Sequence, residues 1–342
     1  MKAARHSPLA KRLATAAAGR FALTAALART GLGLVAVTRS LRLGPLDLGG
    51  ALVGAVTGWL HETAPTLVPR IERGMALPKP AGPLPRPVAP LNGAPAGRVV
   101  YFPSCLSRIL GPEPGETGPS TALAVTRSLA WAGYEVVHPE GLAGLCCGMP
   151  FGSKAFSEAA ARASERTMEA LWRASREGAD AVVTDASPCA GTLDEARAAL
   201  AAAGRSLCVF DFATFWAREV LPRHAKVPWT NGLAVLHPTC TLMRHGGTAD
   251  LLAVARAHAA EACVPASAEC CGFAGDRGFL VPELTASAAA KEGAEIRARL
   301  DGASGPAGVF STCRTCEIGM SRAVGRPVRS VAHLVYEAVT GA

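Results

Sequence analysis

Two ordered sets of cysteines carry the chemistry this sequence offers. The first is Cys105, the vicinal pair Cys146-Cys147 followed by Gly148, and Cys189 at the end of Asp185-Ala186-Ser187-Pro188-Cys189. The second is Cys240, the pair Cys270-Cys271 followed by Gly272, and Cys313-Arg314-Thr315-Cys316. Soft thiolates in such numbers select zinc, copper(I) or iron–sulfur centres. The first set supplies four thiols, because Ala186 stands where a Cys-x-x-Cys would have its first cysteine, and the second supplies five. Four thiolates complete a tetrahedral zinc site, and zinc has no use for a fifth, so the second set favours a cluster. Cys208 and Cys263 lie outside both sets and are read as small buried hydrophobes. The total of eleven cysteines is odd, none precedes Cys105, and two pairs are vicinal. That usage suits thiolate ligation in a reducing compartment better than a secreted disulfide framework, and the chain is read as cytoplasmic.

The elements that must position these cysteines are short β-branched runs alternating with Ala-rich helical stretches. Arg98–Phe102, Tyr134–Val137, Ala181–Asp185, Leu207–Phe210, Gly232–Leu236 and Gly308–Ser311 are expected as strands. Thr121–Gly133, Phe156–Glu177, Leu193–Ala203, Ala249–Ala262 and Glu283–Arg299 are expected as helices. Such alternation implies an α/β fold with parallel sheets and ligands at the carboxyl ends of the strands. The pattern is also duplicated. Val99-Val100-Tyr101-Phe102-Pro103-Ser104-Cys105 answers Ala234-Val235-Leu236-His237-Pro238-Thr239-Cys240, the two Cys-Cys-Gly loops answer each other, and Cys189 answers Cys316. Three ordered matches define two repeats, residues 98–228 and 229–342.

The chain of 342 residues is long enough for two ordinary domains. Ahead of the repeats lie a helical segment, residues 1–75, with stops at Gly44-Pro45 and Pro65, and a linker, residues 76–97, with seven prolines. Such a linker is expected to be extended and semi-rigid. Residues 1–97 hold twelve Lys or Arg against Asp47, Glu62 and Glu72, so the positive charge of the chain sits there. This suggests an acidic partner or an anionic membrane surface, against the plainer reading of a solvated basic face. Nucleic acid is not expected, since zinc-finger spacing and stacking aromatics are lacking. The apolar stretch from Phe21 to Leu60 is interrupted by Arg29, Arg39, Arg42 and Asp47. No uncharged run in it reaches the ~18 residues of a spanning helix, so peripheral membrane contact at most is expected.

The order Cys, spacer, Cys-Cys-Gly, spacer, Cys-x-x-Cys resembles the CCG cysteine-rich domain found in heterodisulfide reductase, in the iron–sulfur subunits of glycolate oxidase and of anaerobic glycerol-3-phosphate dehydrogenase, and in lactate-utilisation proteins. The stretches Leu145 to Lys154, Asp185 to Cys189 and Cys270 to Phe279, with Pro282-Glu283-Leu284-Thr285 after the last, are similar to the C-terminal iron–sulfur part of FAD-dependent D-lactate dehydrogenases. The resemblance covers residues 98 to 340 closely and the preceding part loosely. It implies a 4Fe-4S cluster, non-cubane in form, on Cys240, Cys270, Cys271, Cys313 and Cys316. For Cys105, Cys146, Cys147 and Cys189 it leaves a second cluster or zinc. Those dehydrogenases also carry an FAD domain and a ferredoxin-like segment, neither of which is apparent in this sequence. The resemblance therefore implies a separate subunit, or the tail of a split gene, that takes electrons from a flavoprotein partner holding the FAD and passes them to a quinone or other acceptor. A heterodisulfide-reductase-like thiol/disulfide oxidoreductase and a structural zinc protein are the alternative functions.

Other polar residues say less. His237, Arg277 and Arg314 are candidates for tuning a cluster by proximity to cysteines, with capping or surface roles as the plain reading. Asp276 is expected to pair with a neighbouring Arg, and Glu283 to favour a helix start. His61, His138, His245 and His258 show no metal spacing, and Gly246-Gly247 reads as a turn.

Overall fold

The structure is a computed structural model that describes residues 6–41, 47–63, 71, 77–91, 95–202, 204–224 and 226–341. Its strands are β1 (Gly97–Phe102), β2 (Tyr134–Val137), β3 (Ala181–Thr184), β4 (Val209–Asp211), β5 (Thr230–Leu236), β6 (Ala259–Cys263), β7 (Ala307–Ser311) and β8 (Val328–Ser330). Three helices, α1 (Pro8–Gly19), α2 (Phe21–Arg39) and α3 (Leu48–Thr63), precede them. In the first repeat come α4 (Cys105–Ile109), α5 (Thr121–Trp131), α6 (Met149–Gly152), α7 (Ser157–Ala174), α8 (Ser187–Ala202) and α9 (Phe212–Phe215). The second holds α10 (Cys240–Arg244), α11 (Thr248–His258), α12 (Arg277–Leu280), α13 (Pro282–Asp301), α14 (Arg314–Val324) and α15 (Val331–Thr340).

The strands form two four-stranded parallel sheets of the same topology, ordered β2-β1-β3-β4 and β6-β5-β7-β8. The expected α/β fold with duplicated parallel sheets, preceded by a helical segment, is what the chain adopts. Continuous apolar runs such as Val99-Val100-Tyr101-Phe102 are fully buried because helices cover both faces of each sheet. Val99, Tyr101 and Val136 of the first sheet, and Ala234, Leu236 and Phe310 of the second, turn toward a shared core. That core is filled by Leu129 of α5, Phe212 of α9, Leu251 of α11 and Leu334 of α15, with Trp216 fully buried among them. Alternate residues face outward: Val100 and Val182 pack on Met168 and Leu171 of α7, and Val235 and Val309 pack on Ile296 of α13 and Ile318 of α14. The two sheets thus share one core, with α5, α9, α11 and α15 between them.

Sequence and structure differ at two strands. The helix expected through Ala262 stops at His258, and Ala259–Cys263 pairs with β5 as the edge strand β6. Its Ala-rich sequence has little strand propensity, and the open edge beside β5 decides the outcome. The second is β8, only three residues long, which the alternation did not reveal.

The proline-rich stretch is extended where described and lies against the first repeat. Pro80 bridges Leu110, Val88 bridges Val136 at the sheet edge, and Leu91 N donates to Ala130 O. The expected stops at Gly44-Pro45 and Pro65 lie outside the described residues. By length and composition α2 is, among the described residues, the one helix able to cross a bilayer, at a mean hydropathy of 1.6. Its inner side is occupied: Phe21 and Ala25 are buried, and Arg29 Nη2 donates to Ala81 O at 2.8 Å.

Candidate metal centre

The sheet order places the cysteines. In each sheet the chain leaves the first strand toward one neighbour and later returns to the other side, so β1/β3 and β5/β7 are the switch points where crevices open at the carboxyl ends. Cys105 follows β1 and Cys189 follows β3; Cys240 follows β5, and Cys313 and Cys316 follow β7. Cys146-Cys147 and Cys270-Cys271 arrive on the loops after β2 and β6. Both crevices open into one cavity of about 700 Å³ that is lined by cysteines of both sets, among them Cys105, Cys147, Cys189, Cys240, Cys271 and Cys316. The repeats are stitched together at its floor, where Ser187 N donates to Thr312 O at 3.0 Å. At its rim Lys154 Nζ meets Asp276 Oδ2 at 2.5 Å, so Asp276 pairs across the repeats instead of with a neighbouring Arg.

In the first set Cys147 Sγ and Cys189 Sγ lie 3.2 Å apart, and all four thiols are buried. Ser104 caps α4, its Oγ accepting from Ser107 N, which fixes Cys105 at the helix start. Thr167 Oγ1 accepts from Cys146 N and donates to Cys146 O, clamping the vicinal pair. Gly148 follows at φ +92°, where a Cβ would stand 2.5 Å from Ala160 O, so the loop requires glycine. Buried Arg108 donates to Leu142 O and Leu145 O, holding the approach to Cys146. Phe21 and Ala25 of α2, with Ala18 of α1, pack directly over Cys105 and Cys146. The protons are held tightly. The Cys146 hydrogen bond and burial raise Cys105 well above the thiol range. Cys189 is pushed up to about 11, burial and the nearby thiols outweighing the hydrogen bond of Cys147. Cys146 rises to about 12, the Cys105 hydrogen bond being outweighed by that of Cys147 together with burial.

The second set repeats the scaffold with different surroundings. Thr239 caps α10 as Ser104 caps α4, and Gly272, at φ +69°, follows the vicinal pair. Cys271 Sγ and Cys316 Sγ are 3.2 Å apart, and His237 joins them with ligand atoms of all three within 4.8 Å. His237 Nδ1 is bound to Glu292 Oε1 at 2.8 Å. Its Nε2 is fully buried with no nitrogen or oxygen partner, which leaves it to the sulfurs. Hydrogen bonds from Cys270, Cys316 and His237 hold Cys271 far below the ordinary thiol range, while Cys270 keeps its proton. His237 is pushed up to about 9, burial being outweighed by Cys271 and Glu292. Cys313, hydrogen-bonded by Cys316, falls to about 7. Arg314 is buried against Glu116 and Glu317 and also donates to Gly111 O, so the Cys-x-x-Cys turn is locked onto the first repeat.

Eight of the nine cysteines named from sequence thus line one cavity, with unequal closeness, and Cys146 lies beside it in the apolar cluster under α1 and α2. Cys147 and Cys189, and Cys271 and Cys316, are in contact; Cys240 and Cys270 are exposed at the wall. Of the candidate tuning residues, His237 reaches the sulfurs, Arg314 braces the turn beside them, and Arg277 is exposed. Glu292, mid-way along α13, gave no sign in the sequence. Cys208 is exposed and Cys263 half-buried, which corrects the reading of both as buried hydrophobes. His258 is engaged by Trp216 Nε1 and Pro228 O.

Buried thiols whose sulfurs lie 3.2 Å apart outside any disulfide, and an orphaned imidazole nitrogen facing sulfur, fit a thiophilic group. A family model described as the cysteine-rich domain, CCG, matches residues 99–194 and again 234–321. The chain belongs to the CCG cysteine-rich family. Both matched spans begin at the strands that lead to Cys105 and Cys240 and contain the nine cysteines of the two sets. The family is that of an iron–sulfur type electron-transfer module, and the cavity has the donors for an iron–sulfur or other metal cofactor. No curated protein matches the chain. Among solved structures it is similar to an aspartate racemase homologue from Pyrococcus horikoshii OT3 at 13% identity and a TM-score of 0.29, covering 72% of this chain and 97% of that one. At that score the likeness carries no argument.

Proposed function

We propose that this protein is the electron-transfer component of an FAD-linked oxidoreductase of the D-lactate dehydrogenase or glycolate oxidase kind, working in the cytoplasm with a separate flavoprotein. Cys240, Cys270, Cys271, Cys313 and Cys316 would hold a 4Fe-4S cluster, non-cubane in form, and Cys105, Cys146, Cys147 and Cys189 a second cluster or zinc. Such a cluster, when bound, supplies one-electron redox chemistry between the partner's flavin and a quinone or other acceptor. The observation that carries this reading is the pocket of Cys271, Cys316 and His237, where a thiolate is already favoured before any metal arrives. Glu292 fixes the ring so that Nε2 faces sulfur, and a protonated ring there offsets negative charge gathered on the thiolates. Arg314, Glu116 and Glu317 hold the Cys-x-x-Cys turn in place. The flanking core keeps water from the inner sulfurs.

A second reading, disulfide reduction at the same cavity, is supported by its volume of about 700 Å³, which leaves room for a small substrate beside the thiols. The chain purified anaerobically is expected to contain iron and acid-labile sulfide and to show visible absorbance that dithionite bleaches. Turnover of a disulfide by that protein would favour the second reading. Zinc alone, without a reducible chromophore, would overturn both.

A further inference from the structure

The three N-terminal helices carry apolar rows on their outer surface that none of the described residues covers. On α2 and just past its end, Leu23, Leu27, Leu34, Val37 and Leu41 follow each other at intervals of three, four or seven residues, which puts them on one helical face. All five are exposed, Leu34 by 66%. On α3 the same holds for Leu48, Leu52, Val56 and Trp59, the last exposed by 65%. Leu9 and Leu13 form a shorter row on α1. On α1 and α2 these rows are the opposite side from the one buried against the repeats through Ala18, Phe21 and Ala25. Most of the exposed large apolar residues among those described lie here, far more than scattered surface leucines would give.

The charge beside them is predominantly positive. Lys11, Arg12 and Arg20 are exposed on and next to α1, and residues 1–97 hold twelve cations against three acids. A protein partner would have to match three separate rows that present no aligned hydrogen-bonding groups. A bilayer surface requires only apolar side chains to enter the acyl boundary and cations to meet anionic headgroups. We propose that the outer face of α1–α3 is a docking surface for an anionic lipid bilayer, with the helices lying in the interface and not crossing it. Crossing would strip α2 from Cys105 and Cys146, over which Phe21 and Ala25 pack, and would break the Arg29 bond to Ala81. The inner sides of α1 and α2 wall the cysteine cavity through Ala17 and Phe21, so docking brings that cavity toward the lipid surface, where a lipid-soluble acceptor would be within reach.

Flotation of the full, cofactor-loaded chain with vesicles tests this. Wild-type protein is expected to float with phosphatidylcholine–phosphatidylglycerol vesicles at low salt, and to stay behind with phosphatidylcholine alone. Leu27→Glu with Leu34→Glu, and separately Lys11→Gln with Arg12→Gln and Arg20→Gln, are each expected to weaken partitioning roughly tenfold or more, while circular dichroism and metal content stay unchanged. Failure of the wild type to float with anionic vesicles would overturn the proposal. So would wild-type partitioning of the leucine variant. A dimer in solution that the leucine variant splits would show instead that the face joins two copies of the chain, which also overturns it.

Discussion

The two cysteine pockets share a scaffold and differ in what surrounds the sulfur. Each has a capped helix after its first strand, a Cys-Cys-Gly loop and a helix start after its third strand. In the first, Phe102 occupies the place that His237 holds in the second, Ala186 replaces Cys313, and Ser187 replaces Arg314. The first pocket is also roofed by α1 and α2, which leave Cys240 and Cys270 of the second exposed. The consequence is electrostatic. Burial and thiol–thiol hydrogen bonds keep the first set's thiols protonated despite Arg108 beside Cys105, whereas hydrogen bonds from Cys270 and Cys316, joined by an imidazole braced by a carboxylate, draw Cys271 toward the thiolate. Duplication fixed where sulfur goes, and three substitutions made one pocket the more reactive.

The widest difference to test is in thiol ionisation. In metal-free, reduced protein, absorbance near 240 nm from Cys271 and Cys313 is expected at neutral pH, while Cys146 and Cys189 contribute only as the pH approaches about 12 and about 11. His237→Phe copies the first pocket into the second. It is expected to shift the Cys271 transition upward, and an unchanged titration would break the comparison.

Next in size is the brace unique to the second pocket. Arg314 is 4% exposed between Glu116 and Glu317, and Arg314→Met leaves two buried carboxylates without a cation. A loss of about 3–5 kcal/mol in urea-induced unfolding is expected, partly recovered by adding Glu116→Gln and Glu317→Gln. Ser187→Ala, at the equivalent place in the first repeat, is expected to cost far less.

Much of this arrangement was legible in the sequence. The order of cysteines, the strands that run into Cys105 and Cys240, and the repeat itself follow from local patterns. What was hidden depends on distance. Glu292 reaches His237 from 55 residues away, and Glu116 reaches Arg314 from 198. Ala259–Cys263 reads as helix until a sheet edge claims it. His237 stood out only for its neighbours in the chain, and its meaning comes from the pocket that assembles around Nε2.

The smallest effect contrasts the site histidine with a structural one in the shared core. Burial drives His258 down to about 4, and Trp216 Nε1 donates to its Nε2 while Pro228 O takes its other nitrogen, a pattern only the neutral ring permits. Its folded pKa lies below the unfolded value near 6.5. Its contribution, about 3 kcal/mol at most, is therefore complete above pH 6.5 and lost as pH falls toward 4. Stability measured across that window is expected to fall less steeply in His258→Gln than in the wild type.

The central claim is that the second pocket holds a redox-active centre independent of the first. It is tested by iron, sulfide and zinc content and the dithionite-bleached visible spectrum of wild type, Cys271→Ser and Cys147→Ser, all purified anaerobically. The account predicts that Cys271→Ser loses the second centre's iron and its reducible absorbance but keeps the metal of the first pocket, while Cys147→Ser keeps the second pocket's chromophore. Zinc with no reducible absorbance in the wild type, or the same loss from both variants, would contradict it.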